Sequence, residues 1–321
     1  MTKVFKLDEI LNALTKINVV DVIAEGFKVL SAGKVTIPPI GEMLFPEVNG
    51  ELHIKYGAIQ GDEDFVIKMA TGFFNNPSIG LNPFSGCMIV CSQKTGHISS
   101  VLLEEGELTN HRTAAAGAVA AKCLAPKNVK MIGIVGTGVQ ARLQALYLQK
   151  VTDCRKLVIW GRDRNKAKLA AADMNAMGYK VSLAENLHDL CKVSQIIVTT
   201  TASTSPLLER EMIVPGTHIT AMGSDTSDKC ELSPEILNIA DIVAADSIEQ
   251  AVQRGEISQA LKVAKCNKDK LVELGSIISD PSKGRLNEQQ ITIADLSGVA
   301  IQDIMIAKAI TEKLGKKHNE N

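Results

Sequence analysis

The stretch Met131-Ile-Gly-Ile-Val-Gly-Thr-Gly-Val-Gln-Ala-Arg-Leu-Gln-Ala-Leu-Tyr-Leu-Gln149 decides how the chain is read. Met131 to Val135 is an apolar run of strand length. Gly136-Thr137-Gly138-Val139-Gln140-Ala141 follows at once, and Leu143, Ala145, Leu146 and Leu148 continue at helical spacing. Strand, glycine turn and helix with G-x-G-x-x-A spacing form the cradle of a dinucleotide pyrophosphate. Gly136 permits the turn off the strand, Gly138 lets the backbone come close to the phosphates, and Ala141 lets the helix pack on the strand. The free N–H groups and positive end of the helix then favour the anion. The alternative is a glycine turn that serves only the fold.

Downstream, short apolar strands alternate with helical patterns. Strands are expected at Leu157–Trp160, Tyr179–Leu183, Gln195–Thr200, His218–Met222 and Ile242–Ala245. Helices are expected near 138–150, 164–176, 186–192, 209–213, 233–239 and 247–253. This alternation implies an α/β fold with a Rossmann-type doubly wound parallel sheet. Ligand binds such a sheet at the carboxyl ends of its strands, which adds Thr200, Thr201, Met222 and Gly223 to the nucleotide site.

Upstream, residues 7–14 and 18–31 read as helices, and Pro38-Pro39 enforces an extended path. Leu52–Tyr56 alternates apolar and basic residues, so His53 and Lys55 share one strand face. Phe65–Ala70 is a second strand, Thr71–Asn82 a loop, and Cys87–Ser92 with His97–Leu103 a hairpin. An Ala-rich helix runs from Glu107 to Leu124 and stops before Pro126. A last helix, Val299–Leu314, is expected to return to this first part. The domains are then 1–126 with 299–321, an α+β unit, and 127–298, the nucleotide domain, hinged at Lys127-Asn128.

The composition is that of a soluble globular protein, with 321 residues, 45% hydrophobic, 22% charged and a net charge of −1. Neither nucleic acid nor an anionic membrane surface is an expected partner. No apolar run reaches the roughly 18 residues of a membrane span, and the first residues lack the apolar core of a secretory signal. The seven cysteines are scattered without a C-x-x-C pair, so reduced thiols in the cytoplasm and no metal site are expected. The polar tail Lys316-Lys317-His318-Asn319-Glu320-Asn321 is expected to fray.

The second strand ends Ile159-Trp160-Gly161-Arg162-Asp163-Arg164. A small residue at the tip with Arg162 and Arg164 beside it suits a 2′-phosphate, so NADP(H) is favoured over NAD(H). Asp163 keeps NAD open, and Arg162 with Asp163 could simply begin a solvated helix.

Three residues stand out for chemistry. Lys68 lies inside an otherwise apolar strand, where a lysine is rare unless paired and its pKa falls; the alternative is a lysine on a solvent-facing side. Arg112, in Thr109-Asn110-His111-Arg112-Thr113-Ala114, places a guanidinium fork near a helix start, as a carboxylate clamp or as a surface arginine. Asp225 follows the strand that ends near Met222, where a nicotinamide would lie, or caps a turn. A proton-handling group, a carboxylate clamp and a counter-ion beside a nicotinamide suit hydride transfer at a carbon bearing nitrogen.

With these residues in view the chain resembles the ornithine cyclodeaminase/μ-crystallin family over nearly its whole length. The likeness is carried by Ile67-Lys68, Gly80-Leu81, Thr95-Gly96, Leu108-Thr109 with Arg112-Thr113-Ala114-Ala115, and Gly136 to Ala141. It continues through Gly223-Ser-Asp225 with Lys229, Glu231 and Leu232, and Gly298 to Asp303. The resemblance implies a homodimer joined through the first domain and a small amino or imino acid substrate. It implies that Lys68 and Arg112 hold the substrate carboxylate or assist proton transfer, and that Asp225 attends the substrate nitrogen. Family members include cyclodeaminases, archaeal alanine dehydrogenases, ketimine reductases such as μ-crystallin, and iminosuccinate reductase.

Cyclodeaminases present a carboxylate on the strand before the lysine, to hold a distal amine. Here that strand presents His53 and Lys55, a basic pair that would attract a second carboxylate. The loop Thr71–Pro77 is similar to the iminosuccinate-reductase and ectoine-utilisation branch. The expectation is an NAD(P)H-dependent imino acid reductase, with a cyclodeaminase and a μ-crystallin-like binding protein as alternatives.

Overall fold

The structure, a computed structural model, describes residues 2–317. Residues 318–321, the end of the tail expected to fray, lie outside the described residues. The chain divides into two compact units, 1–112 with 299–321 and 113–298, so the division falls inside the helix Glu107–Leu124 rather than at Lys127-Asn128.

In the first unit a mixed sheet runs in the order Lys3–Phe5, Ile98–Leu102, Phe84–Ser92, Asp64–Phe73, Gly50–Ile59 and Val35–Thr36. Gly41–Phe45 pairs with Gly50–Ile59 as well. The central pairings are antiparallel, with Lys55 opposite Lys68 and His53 opposite Ala70. Strand alternation gives this sheet a buried face that includes Val66, Lys68, Met88, Val90 and Leu102. The helix Ala300–Lys317 packs across its central strands and against the helices Leu7–Leu14 and Val19–Ser31, the return expected of the last helix. The opposite face carries Tyr56 and Met69, both exposed, among half-buried Ile54, Ile67 and Ile89.

The loop expected from Thr71 begins only after Phe73. Thr71 and Gly72 remain paired on both sides, with Leu52 and Glu51 and with Ser85 and Phe84. Backbone hydrogen bonds to two neighbours outweigh the weak strand preference of a single glycine.

In the second unit eight parallel strands run in the order Lys180–Leu183, Lys156–Trp160, Ile132–Val135, Ile196–Thr199, His218–Ala221, Thr292–Asp295, Ile242–Ala245 and Leu271–Glu273. Chain order reverses between Ile132–Val135 and Ile196–Thr199, which opens the crevice where such sheets bind ligand. The strand Thr292–Asp295 was not expected. It is only four residues, two of them polar, so no periodicity marks it, yet it sits inside the sheet, hydrogen-bonded to strands on both sides. The helices Gly255–Lys262 and Leu274–Ser279 were missed as well.

Candidate active site

The glycine turn sits at the switch point of the parallel sheet. Gly136 adopts φ +123°, and a Cβ there would lie 2.4 Å from Thr200 Oγ1, so both backbone and space demand glycine. A Cβ on Gly138 would meet nothing within 4 Å; its emptiness faces open space, as a phosphate requires. Gly138 is also the first flanking residue of the helix Val139–Leu148 and offers no capping side chain, so the first N–H groups remain for a ligand. Arg142 donates to the carbonyls of Thr137 (2.6 Å) and Gly138 (3.1 Å), which ties down the acceptors of the turn.

An open cleft of about 360 Å³ lies beside this turn. Gly136, Thr137 and Gly138 form one wall, Thr200 and Thr201 another, and Arg162, Asp163 and Lys166 the strand-tip side. These residues fit a dinucleotide. Asp163 caps the helix Arg164–Ala176, its Oδ1 accepting from the N–H groups of Asn165 (2.9 Å) and Lys166 (3.1 Å). Arg164 does not line the cleft: its guanidinium makes two 2.7 Å bonds to Glu185. Lys166, which sequence reasoning passed over, lines it instead. Val139, Gln140, Met222 and Gly223 are likewise not among the residues lining this cleft.

Glu231 organises the strand-end loops. Its buried carboxylate accepts from Thr199 Oγ1 (2.7 Å), Thr201 N (2.6 Å), Thr201 Oγ1 (2.7 Å) and Gly223 N (2.9 Å). Burial pushes its pKa up, and those four donors pull against that. Behind it Glu256 accepts from the N–H groups of Glu231 (2.7 Å) and Leu232 (3.1 Å), and burial raises its pKa to about 7. Burial and the neighbouring Glu256 likewise hold Asp295 well above the carboxylate range.

Asp225 belongs to the loop after His218–Ala221. It is exposed, and its Oδ1 accepts from Lys229 Nζ at 2.6 Å. Ser224, one residue earlier, is buried and donates to the Lys229 carbonyl at 2.7 Å, which pins the base of the loop.

The first unit holds a buried ion cluster. Lys68 Nζ lies 3.0 Å from both carboxylate oxygens of Asp303. Arg112 donates from Nε to Asp303 Oδ1 at 3.0 Å and from Nη1 to Gln302 Oε1 at 2.6 Å. The side chains of Lys68, Arg112 and Asp303 are 2%, 7% and 2% exposed, so the solvent-facing alternatives for Lys68 and Arg112 fail. Burial lowers the Lys68 pKa, against the pull of Asp303. Burial alone would raise the Asp303 carboxyl, but Arg112, Lys68 and Lys55 outweigh it and hold the group ionised. Asp303 stands in a motif visible in the sequence, but its role was missed: nothing local marks a partner 235 or 191 positions away.

Two expectations change here. The first N–H groups of the helix that carries Arg112 are not free, because Glu104 accepts from Leu108 N (2.7 Å) and Thr109 N (3.3 Å). His53 is not a bare cation beside Lys55 either. Its ring nitrogens lie 3.5 Å from Glu42 and 3.6 Å from Glu51, so acid brackets it on both sides.

A family model described as the ornithine cyclodeaminase/mu-crystallin family matches residues 2–318. A putative dehydrogenase of Rhizobium meliloti is 40% identical over 287 residues, 89% of this chain and 87% of the relative. An iminosuccinate reductase of Paracoccus denitrificans is 33% identical over 238 residues, 74% of this chain and 73% of the relative. Among solved structures, an archaeal alanine dehydrogenase dimer with bound NAD matches with a TM-score of 0.90 at 29% identity, covering 99% of this chain and 97% of that one. The Thermococcus litoralis Δ1-pyrroline-2-carboxylate reductase, in complex with NADH and L-proline, matches with a TM-score of 0.90 at 25% identity and 98% coverage of both chains.

Proposed function

The chain belongs to the ornithine cyclodeaminase/mu-crystallin family, and from that premise we propose that it is an NAD(P)H-dependent imino acid reductase, working in reverse as an amino acid dehydrogenase. The observation that carries this reading is the buried cluster in which Lys68 and Arg112 share one carboxylate. A buried lysine and arginine are poised to bind a substrate carboxylate and to handle a proton.

Among the described residues Arg112 gives one N–H to Asp303 and one to Gln302, which leaves donors of its fork for the α-carboxylate of the substrate. Lys68 Nζ polarises that carboxylate and relays the proton that completes the amine. Asp225 stabilises the positive charge on the substrate nitrogen. The nicotinamide, when bound, supplies the hydride. Gly161, Arg162 and Lys166 support a preference for NADP(H), since two cations and no acid stand at the strand tip beyond the capping Asp163. The half-exposed apolar face of the first unit supports a homodimer joined there.

Lys55 would take a second carboxylate, so a dicarboxylic substrate is favoured. One observation favours the cyclodeaminase reading instead: Glu42 and Glu51 bring carboxylates to the strand face that reads as basic in sequence. Both already lie against His53, which weakens their claim on a distal ammonium.

Purified protein with a panel of 2-oxo acids and ammonia, followed at 340 nm with NADPH and with NADH, separates the readings. The reductase consumes nucleotide, fastest with a dicarboxylic oxo acid and with NADPH. Ammonia release from ornithine with no net nucleotide change would establish the cyclodeaminase. Tight nucleotide binding without turnover of any substrate would leave the binding protein.

A further inference from the structure

Asp303 touches both cations of the substrate site, and it does so in the first turn of the helix Ala300–Lys317. It is 1% exposed, so its only counter-charges are those of the protein. The groups that face Lys68 come from each element packed on it. Asp303 lies on the closing helix, Arg112 on the helix Glu107–Leu124, and Glu104 just before that helix. Lys55 stands opposite on the neighbouring strand. Arg112 therefore presses on Lys68, and of the two acids Asp303 makes the contact with it, while Glu104 turns one oxygen to backbone N–H groups.

We infer that Asp303 is a positioning residue: it keeps Lys68 Nζ an ammonium and turns the Arg112 fork so that only its outer N–H groups meet the substrate carboxylate. Without Asp303, a desolvated lysine beside an arginine would shed its proton, and the arginine would lose the contact that fixes its Nε edge. The inference goes beyond an ion pair that merely holds the helix in place. It assigns Asp303 control over the protonation state of the group that handles the proton, and it deepens the reductase reading on which it rests.

The burial of Lys68 gives the argument its direction. Desolvation already lowers its pKa, and Asp303 is the main influence raising it. Neutralising Asp303 must therefore move the titration of Lys68 further down.

The test uses Asp303→Asn and Asp303→Glu in the full-length protein, with lysines carrying 13C at Cε and the Lys68 signal identified by its loss in Lys68→Met. In Asp303→Asn the midpoint of the Lys68 signal falls by at least about one pH unit. The basic limb of the pH profile for NADPH oxidation falls with it, so that activity on that limb drops about tenfold or more while activity on the acid side changes little. The KM for the carboxylate substrate rises. Asp303→Glu keeps the charge, so it retains the Lys68 midpoint and restores most of the profile. An unchanged Lys68 midpoint in Asp303→Asn, or an equal loss of activity at every pH, would overturn the inference. If Asp303→Asn fails to fold, Asp303→Ser, which also removes the charge, decides: a Lys68 midpoint at the wild-type value overturns the inference, and a lowered one supports it. The NMR titration needs no turnover, so failure of the reductase reading would show separately, as a wild type that oxidises no nucleotide.

Discussion

Lys68 occupies a place where a lysine is normally too costly: a central strand, 2% exposed, with its ammonium against one carboxylate. Such a cost is sustained where the group has chemical work. Lys68→Met should lower turnover by at least about 100-fold, the scale of a lost proton-handling group. Nucleotide affinity, read by fluorescence titration, should stay within about twofold. Retained turnover would remove Lys68 from the mechanism. At this scale the sequence was informative about Lys68 and Arg112, since each breaks a local pattern: a charge in an apolar strand, a cation near a helix start. Asp303 and Glu231 break none. An acid at a helix start is ordinary, and only the distant partners of each carboxylate distinguish it.

At the scale of the element, the strand–turn–helix from Ile132 to Leu148 was legible because its glycines are required for different local reasons. These two reasons predict different failures. Gly136→Ala forces a side chain into φ +123° and against Thr200, so it should destabilise the free protein by about 1–3 kcal/mol. Gly138→Ala adds a methyl to open space at φ −81° and should leave free-protein stability within about 0.5 kcal/mol while weakening nucleotide binding. Thermal unfolding with and without NADPH reads both; equal losses in the two variants without nucleotide would contradict this account. The element that escaped notice, Thr292–Asp295, shows the limit of periodicity. Strands hydrogen-bonded on both sides within a parallel sheet need no alternation, and four residues leave no window in which to find it.

For the whole molecule, the acids behind the nucleotide cleft set a pH dependence. Glu256 ionises near 4.5 when exposed and near 7 in the fold, so the folded state binds more protons across that interval. Its contribution is present below about 4.5 and is lost as pH rises through about 7. Glu256 alone should lower stability across that window by up to about 3 kcal/mol, and Glu256→Gln should remove this part of the pH slope. His218, whose burial lowers its pKa to about 3, works in the opposite sense up to about pH 6.5, so urea unfolding at pH 5 and pH 8 compares the wild type with Glu256→Gln; an equal pH slope in the two would contradict the assignment. The apolar outer face of the first unit carries a second prediction at this scale. If the proposed homodimer is joined through this face, Met69→Glu should yield monomer in sedimentation velocity where the wild type is dimeric; a variant that stays dimeric would place the interface elsewhere.

Net hydride transfer to a carbon bearing nitrogen can be followed by isotope transfer from nucleotide deuterated at the nicotinamide C4. With the 2-oxo acid and ammonia that the panel selects, one deuterium should appear at Cα of the amino acid product for each nucleotide oxidised. Deuterium that stays with the nucleotide, or turnover that releases ammonia from a diamino acid without oxidising nucleotide, would contradict it.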